Sequence, residues 1–208
     1  KMTLASGQFL DASMDHPVLT PTGYRPLEDL RVGDFVAAAR SLPAPTYPLR
    51  ISDAEVLVAA ALIADGALSG TSTTYIKGNR ELVDTFIRAA AQVPGFDGIG
   101  EDQFKDGAHY VRPKGLVPWT ADLGIRVPSK AKRVPAKLFG LADAQLALFI
   151  RWLWTDGNVY VGSPRKLDLC LASEGLIDDV QLLLRRFSVV ARKSYSPKTI
   201  KHADGTKK

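Results

Sequence analysis

Residues 55–66, EVLVAAALIADG, and residues 144–157, AQLALFIRWLWTDG, decide how this chain is read. Each is an apolar run of helical length, and each closes on Asp-Gly. That pair occurs five times, at 65–66, 97–98, 106–107, 156–157 and 204–205. An isolated Asp-Gly is usually a turn. Only Asp65 and Asp156 end a long apolar helix. A carboxylate is disfavoured at a helix C-terminus, where the dipole is negative. Two such placements call for a compensating cation, and a divalent metal between two adjoining helix ends would supply it. Ala59, Ala60, Ala61 and Ala64 are small enough for a partner helix to approach closely. One such helix is an ordinary Ala-rich core element; the pair is what points further.

Around these two runs the chain divides into β-type and helical stretches. Residues 1–43 are rich in strand and turn signals: an extended start with a turn at Gly7, a break at His16-Pro17, a strand at 18–20, a turn at 21–24 and another at Gly33-Asp34. Pro43, Pro45 and Pro48 mark residues 44–51 as a linker. Ser52 and Glu55 then form an S-x-x-E capping box at the head of the first apolar helix. Residues 71–76 are β-branched, and Asn79 caps a helix reaching about Ala91. Residues 92–125 are rich in Gly and Pro and give no clear assignment. The second apolar helix starts at Asp143 or Ala144, a strand is expected at 167–171, Ser173 caps a helix to about Phe187, and residues 189–195 read as a strand. Helix, strand and helix thus recur in both halves, the pattern of an internal duplication with a pseudo-twofold axis.

Composition narrows the function classes. The chain has 208 residues, 46% of them hydrophobic, so a real core can form and composition disfavours disorder. One cysteine, Cys170, rules out an internal disulfide framework and suits a reducing cytoplasm. Three scattered histidines add no zinc set. The longest apolar run, residues 56–64, falls short of the roughly 18 residues a membrane span needs. No signal peptide is visible, and Lys1 reads as the middle of a strand, as in a fragment of something longer. Charge is uneven: residues 1–125 hold 11 basic and 15 acidic residues, residues 126–208 hold 16 and 7. A basic half suggests a polyanionic partner, with a solvated basic surface as the plain alternative.

The two apolar helices resemble the twin signature helices of LAGLIDADG homing endonucleases. Residues 58–66, VAAALIADG, match the first motif, with Asp65 at the metal-binding acid. The resemblance covers residues 52–195 and implies a saddle whose two central helices hold Mg²⁺ at their feet over two scissile phosphates of double-stranded DNA. Two motifs about 90 residues apart are more specific than one. Residues 149–157, FIRWLWTDG, depart from the pattern. Aligned from the acid, Arg151 stands where a small residue is usual; anchored on Phe149 and Leu153, the motif is one residue short. Either alignment puts the packing or the placement of Asp156 in question and implies weak, nicking-only or absent cleavage. Residues 129–139, SKAKRVPAKLF, resemble the basic K-x-[IV]-P block that precedes the second helix in intein endonucleases. The resemblance makes Lys132 a cation near the scissile phosphate, against the plainer reading of a generic phosphate contact. Lys130, Arg133, Lys137, Arg165 and Lys166 are the expected DNA contacts.

The first 40 residues are similar to part of an intein splicing domain, the Hint fold, with its T-x-x-H block written here as Ser13-x-x-His16. The likeness implies that His16 protonates the departing amide nitrogen in the first splicing step; a histidine taken alone is more often a buried structural one. An N-terminal Cys or Ser nucleophile and a C-terminal His-Asn are absent, so the chain as it stands lacks the groups splicing needs. Residues 30–45 resemble the inteins of bacterial replicative DNA helicases. The expected fold class is α+β: a partial Hint domain (1–43), a linker (44–51) and a pseudo-twofold αββαββα-type endonuclease (52–208). The expected protein is monomeric, cytoplasmic and bacterial, with double-stranded DNA and the host's exteins in cis as partners and no membrane. The competing expectations are a splicing element with a decayed endonuclease and a non-cleaving DNA-binding protein on the same scaffold.

Overall fold

The computed structural model describes residues 1–68, 70–162 and 166–195, and all of Asp156 but its side chain. The N-terminal unit consists of two separate hairpins. Strand β1 (Met2–Thr3) pairs antiparallel with β2 (Phe9–Leu10), and β3 (Pro17–Thr20) pairs with β4 (Gly23–Pro26). Its core is small: Val18 and Thr20 are buried, whereas Phe9, Leu10, Met14, Leu19, Tyr24, Val32 and Phe35 are exposed. Two-stranded ribbons of this kind have little stability of their own. The unit is tied instead to the far end of the chain, through Arg185 to Ala39 O and Gln8 Oε1 and through Gln181 to Ser6 O.

Helix α1 (Asp53–Asp65) is the centre of the molecule. Ser52 closes a complete capping box with Glu55, so two orphan N–H groups are satisfied reciprocally. Val56, Val58, Ala59, Ala60, Ala61, Leu62 and Ile63 are all buried, and a helix apolar on every side must lie inside the core. It packs on α2 (Arg80–Ala90) and along α4 (Asp143–Leu153). Gln145 Nε2, in the first turn of α4, donates to Ile51 O and to Asp53 Oδ1 at the head of α1. The two helices therefore run the same way, and their C-terminal feet emerge on the same side. The proline-rich stretch at 41–48 forms no helix or strand, but Leu49 and Ile51 dock on the core.

A four-stranded antiparallel sheet in the order β5-β6-β8-β7 covers the first half. Its members are β5 (Gly66–Ala67), β6 (Thr74–Lys77), β7 (Ile99–Lys105) and β8 (Ala108–Pro113). Tyr75 of β6 stacks on Phe86 of α2, ring centroids 4.2 Å apart. A short helix α3 (Val117–Asp122) leads to the second half. After α4 come β9 (Asn158–Tyr160) and β10 (Lys166–Asp168), an antiparallel pair, and then α5 (Glu174–Leu184). The series α1-β5-β6-α2 and α4-β9-β10-α5 thus follow one plan. Even their second helices share a cap: the side chains of Asn79 and Ser173 accept from the main-chain N–H groups of Leu82 and Leu176. Residues 92–125, unassigned from sequence, hold the β7–β8 hairpin and α3. The strand expected at 189–195 does not form; Lys193 N makes a single main-chain bond to Ser6 O.

Candidate active site at the foot of the paired helices

The Asp-Gly pairs separate into two kinds. Gly98 and Gly107 have φ of +85° and +79°, and Asp106 one of +52°, so these pairs are turns. Gly66 has φ −85°, ordinary extended backbone. Its reason is space: a Cβ there would lie 2.3 Å from the carbonyl oxygen of Leu62. Gly157 is likewise covered, by the Trp154 ring, which a Cβ would meet at 2.2 Å. The pairs at the two helix ends are therefore close-approach features rather than generic turns. The pair at 204–205 lies outside the described residues.

Asp65 is the last residue of α1. Its Oδ2 accepts from Lys77 Nζ at 2.9 Å, and the side chains are 12% and 8% exposed. Lys77 is the final residue of β6, and antiparallel pairing of Gly66 with Tyr75 brings the end of α1 alongside that strand. Beneath the same foot lies Lys132, itself 5% exposed. Its Nζ donates to the carbonyls of Leu62 (3.1 Å), Ile63 (2.8 Å) and Gly66 (2.9 Å). An ammonium has three donors, and all three here cap α1. Burial lowers the Lys132 pKa, and the nearby Asp65 charge partly restores it. The cation that a carboxylate at a helix C-terminus calls for is therefore supplied by two lysines of the chain itself. Lys132 meets helix carbonyls, and Lys77 meets the acid. Sequence reasoning missed Lys77, which looks like the polar end of a strand.

The second foot differs from the first. After Leu153 the α-helix tightens into a 3₁₀ turn, Trp154–Asp156, whereas α1 stays α-helical through Asp65. The side chain of Asp156 lies outside the description, and so does Arg165. Among the described residues no three or more His, Cys, Asp or Glu side chains cluster as a metal set.

The remaining expected residues are scattered. Lys130 is exposed on a 3₁₀ turn, Ser129–Ala131. Arg133 forms a two-pronged pair with Asp179, Lys137 pairs with Asp122, and Lys166 pairs with Asp168 beneath the Tyr160 ring. Of the second-half cations, Lys132, Arg185 and Arg186 are turned inward, and Lys193 is held by Asp178 and Glu174. The sequence excess of positive charge is thus only partly a surface excess. Ser13 and His16 are both exposed in the loop before β3, so His16 is not a buried core histidine. A hydrogen bond from Ser13, with a main-chain bond second, holds the Asp15 carboxyl below its usual range. Among the described residues, the bonds that tie this unit to the rest run to α5 and its C-terminal extension.

No protein-family profile matches the chain. It does match part of a replicative DNA helicase. One relative is Replicative DNA helicase DnaB of Rhodothermus marinus, 30% identical over 210 residues, which take in 92% of this chain and 22% of that protein. Replicative DNA helicase DnaB of Synechocystis sp. is 28% identical over 207 residues, 90% of this chain and 24% of that protein. The chain therefore spans less than a quarter of the length of these relatives. No described helix is long and apolar enough to cross a membrane.

Proposed function

We propose that this chain is part of an intein carried in a bacterial replicative helicase, and that residues 52–195 act as a site-specific, metal-dependent endonuclease on double-stranded DNA. The observation that carries the reading is the doubled plan: two apolar helices packed in the same direction, α1 ending on Asp65-Gly66 and α4 reaching Asp156-Gly157 through a 3₁₀ turn, each followed by an antiparallel strand pair and a side-chain-capped helix. One chain then supplies both halves of a pseudo-twofold site, as a monomer would need for two DNA strands. Likeness to under a quarter of two helicases fits an element carried within such a protein. A cytoplasmic setting follows from that host.

The Asp65 carboxylate is an oxygen donor of the kind Mg²⁺ takes, a hard cation commonly held by one or two carboxylates with substrate phosphate oxygens completing the shell. Asp65 would hold it with Asp156, and the ion would supply Lewis acidity at a phosphoryl oxygen. Lys77 donates to the Asp65 carboxylate and aims it, and Lys132 offsets the negative helix end beneath it. The three N–H groups of Lys132 are engaged by carbonyls, so its contribution to a phosphate is long-range field rather than a direct bond. In the N-terminal unit, exposed His16 is available for general-acid work on a peptide bond, and the exposed apolar row from Phe9 to Phe35 has the character of a contact surface for further chain.

A second reading is favoured by one observation, the 3₁₀ turn at the second foot. It is a splicing element whose endonuclease nicks or no longer cuts. Both are tested by expressing the element with its flanking splicing residues restored, then assaying ligation of the host fragments and cutting of the uninterrupted helicase gene. Ligation with cutting supports the first reading, and ligation with nicking or none supports the second. Absence of both refutes the intein assignment. His16→Ala should slow the first splicing step by about 10²- to 10⁴-fold, as loss of a general acid does.

A further inference from the structure

The stretch from Lys132 to Val134 is gripped by α5 and its cap residue. The Asp179 carboxylate, 7% exposed, accepts from Arg133 Nε (2.7 Å), Arg133 Nη2 (2.5 Å) and the main-chain N–H of Val134 (2.9 Å). Ser173 Oγ donates to the carbonyl of Lys132 at 2.6 Å while capping α5. Gly175 lets Arg133 lie across the first turn of α5, because a Cβ at 175 would stand 2.6 Å from Arg133 Cδ. A glycine inside a helix costs about 1 kcal/mol relative to Ala, so its use here marks a close approach. Lys132 reaches the carbonyls of α1 on a flexible four-carbon stem, and the stem can hold that point only if its own main chain is fixed.

We propose that Asp179, assisted by Ser173, is a positioning residue: it fixes residues 132–134 so that the Lys132 ammonium is held at the foot of α1. An element of the second half thereby sets the geometry around the acid of the first. The consequence for cleavage rests on the endonuclease reading above; the positional claim does not.

The test is trace acylation of the chain with an amine-reactive ester, each lysine quantified by mass spectrometry, in wild type, Asp179→Ala, Asp179→Asn and Ser173→Ala. In the wild type Lys132 should be strongly protected relative to exposed Lys130, two residues away. In Asp179→Ala its labelling should rise about tenfold or more, as for release of a locally closed group. Lys77, buried at the same foot but held from β6, should not change. Asp179→Asn, which can still accept from Val134, and Ser173→Ala should give smaller rises, and they carry the test if Asp179→Ala does not fold. Unchanged Lys132 protection in the folded variants overturns the proposal. So does a parallel rise at Lys77, which would mean general loosening. In single-turnover cleavage, Asp179→Ala should add no loss to Lys132→Met, since the two act through one group. Release of Lys132 in a protein that never cleaves DNA would uphold the positional claim and remove the endonuclease reading, so the two fail separately.

Discussion

Replacing Lys132 with methionine keeps the apolar stem and removes the ammonium that caps α1. Three hydrogen bonds of 2.8–3.1 Å are lost. Leu62 O retains the Gly66 N–H, so that carbonyl is not stranded; Ile63 O and Gly66 O lose a charged donor. Hydrogen bonds to charged groups contribute about 1.5–3 kcal/mol each, and a stranded buried acceptor costs about 1–3 kcal/mol. Relief from burying the amine opposes both, as the lowered pKa of Lys132 indicates. The net destabilisation expected is about 2–4 kcal/mol. With a urea m-value of about 2 kcal/mol/M, the unfolding midpoint should fall by about 1–2 M. Lys132→Arg should recover less than half of the loss, because a planar guanidinium fork does not present three N–H groups to three converging carbonyls. A shift below about 0.25 M for Lys132→Met, or full rescue by arginine, would refute the capping role.

Three other outcomes are expected. Asp65→Asn and Lys77→Met should each destabilise the fold, and the double variant by clearly less than their sum, because the two side chains are in direct contact at 2.9 Å; additivity in a double-mutant cycle would deny the pair. Gly66→Ala, which drives a Cβ into the Leu62 carbonyl, should cost about 2–3 kcal/mol by thermal or urea unfolding, and Gly98→Ala, in an open turn with positive φ, about 1–2 kcal/mol through strain alone. Pairing with Asp178 raises the Lys193 pKa above its ordinary value. The stabilisation it gives is therefore complete below about pH 10.4, the unfolded value, and is lost as pH rises through the higher folded one. The stability gap between wild type and Lys193→Met should accordingly stay constant from neutral pH to about pH 9 and shrink in strong alkali.

The helices were legible in the sequence because their signals are local. Ser52 with Glu55, Asn79 and Ser173 each mark a helix start that the structure reproduces, and the Asp65-Gly66 end is where the apolar run predicts it. The β7–β8 hairpin was not legible. Ile99–Lys105 is an edge strand, mostly exposed on both faces, so it lacks the alternation that a half-buried strand shows. Residues 189–195 have β-branched character yet no ladder to join, and strand propensity without a partner does not make a strand. At the candidate site, the place of Asp65 at the end of α1 was legible from its helix; the contacts of Lys77 and of Asp179 were not, because they join residues 12 and about 46 positions apart in sequence. Arg133, Lys137 and Lys166, read as DNA contacts from charge alone, each have an acidic partner within the fold. Their side chains nevertheless stay 62%, 41% and 63% exposed, whereas Lys132 and Arg185 are buried; a count of charges along a chain does not tell these two groups apart.

In the proposed function, Asp65 is the chemical centre of a DNA-cleaving site. That role is tested most directly by comparing wild type with Asp65→Asn, checked to be folded, on a plasmid carrying the uninterrupted helicase gene, with Mg²⁺ or with a chelator. Binding should be measured in parallel at several salt concentrations. Wild type should cut or nick at one site only with Mg²⁺. Asp65→Asn should bind within a few-fold of wild type, with the same salt slope, and yield no product, since affinity comes from phosphate contacts and chemistry from the carboxylate. Equal loss of binding and cleavage, or cleavage that survives in Asp65→Asn, would contradict the account.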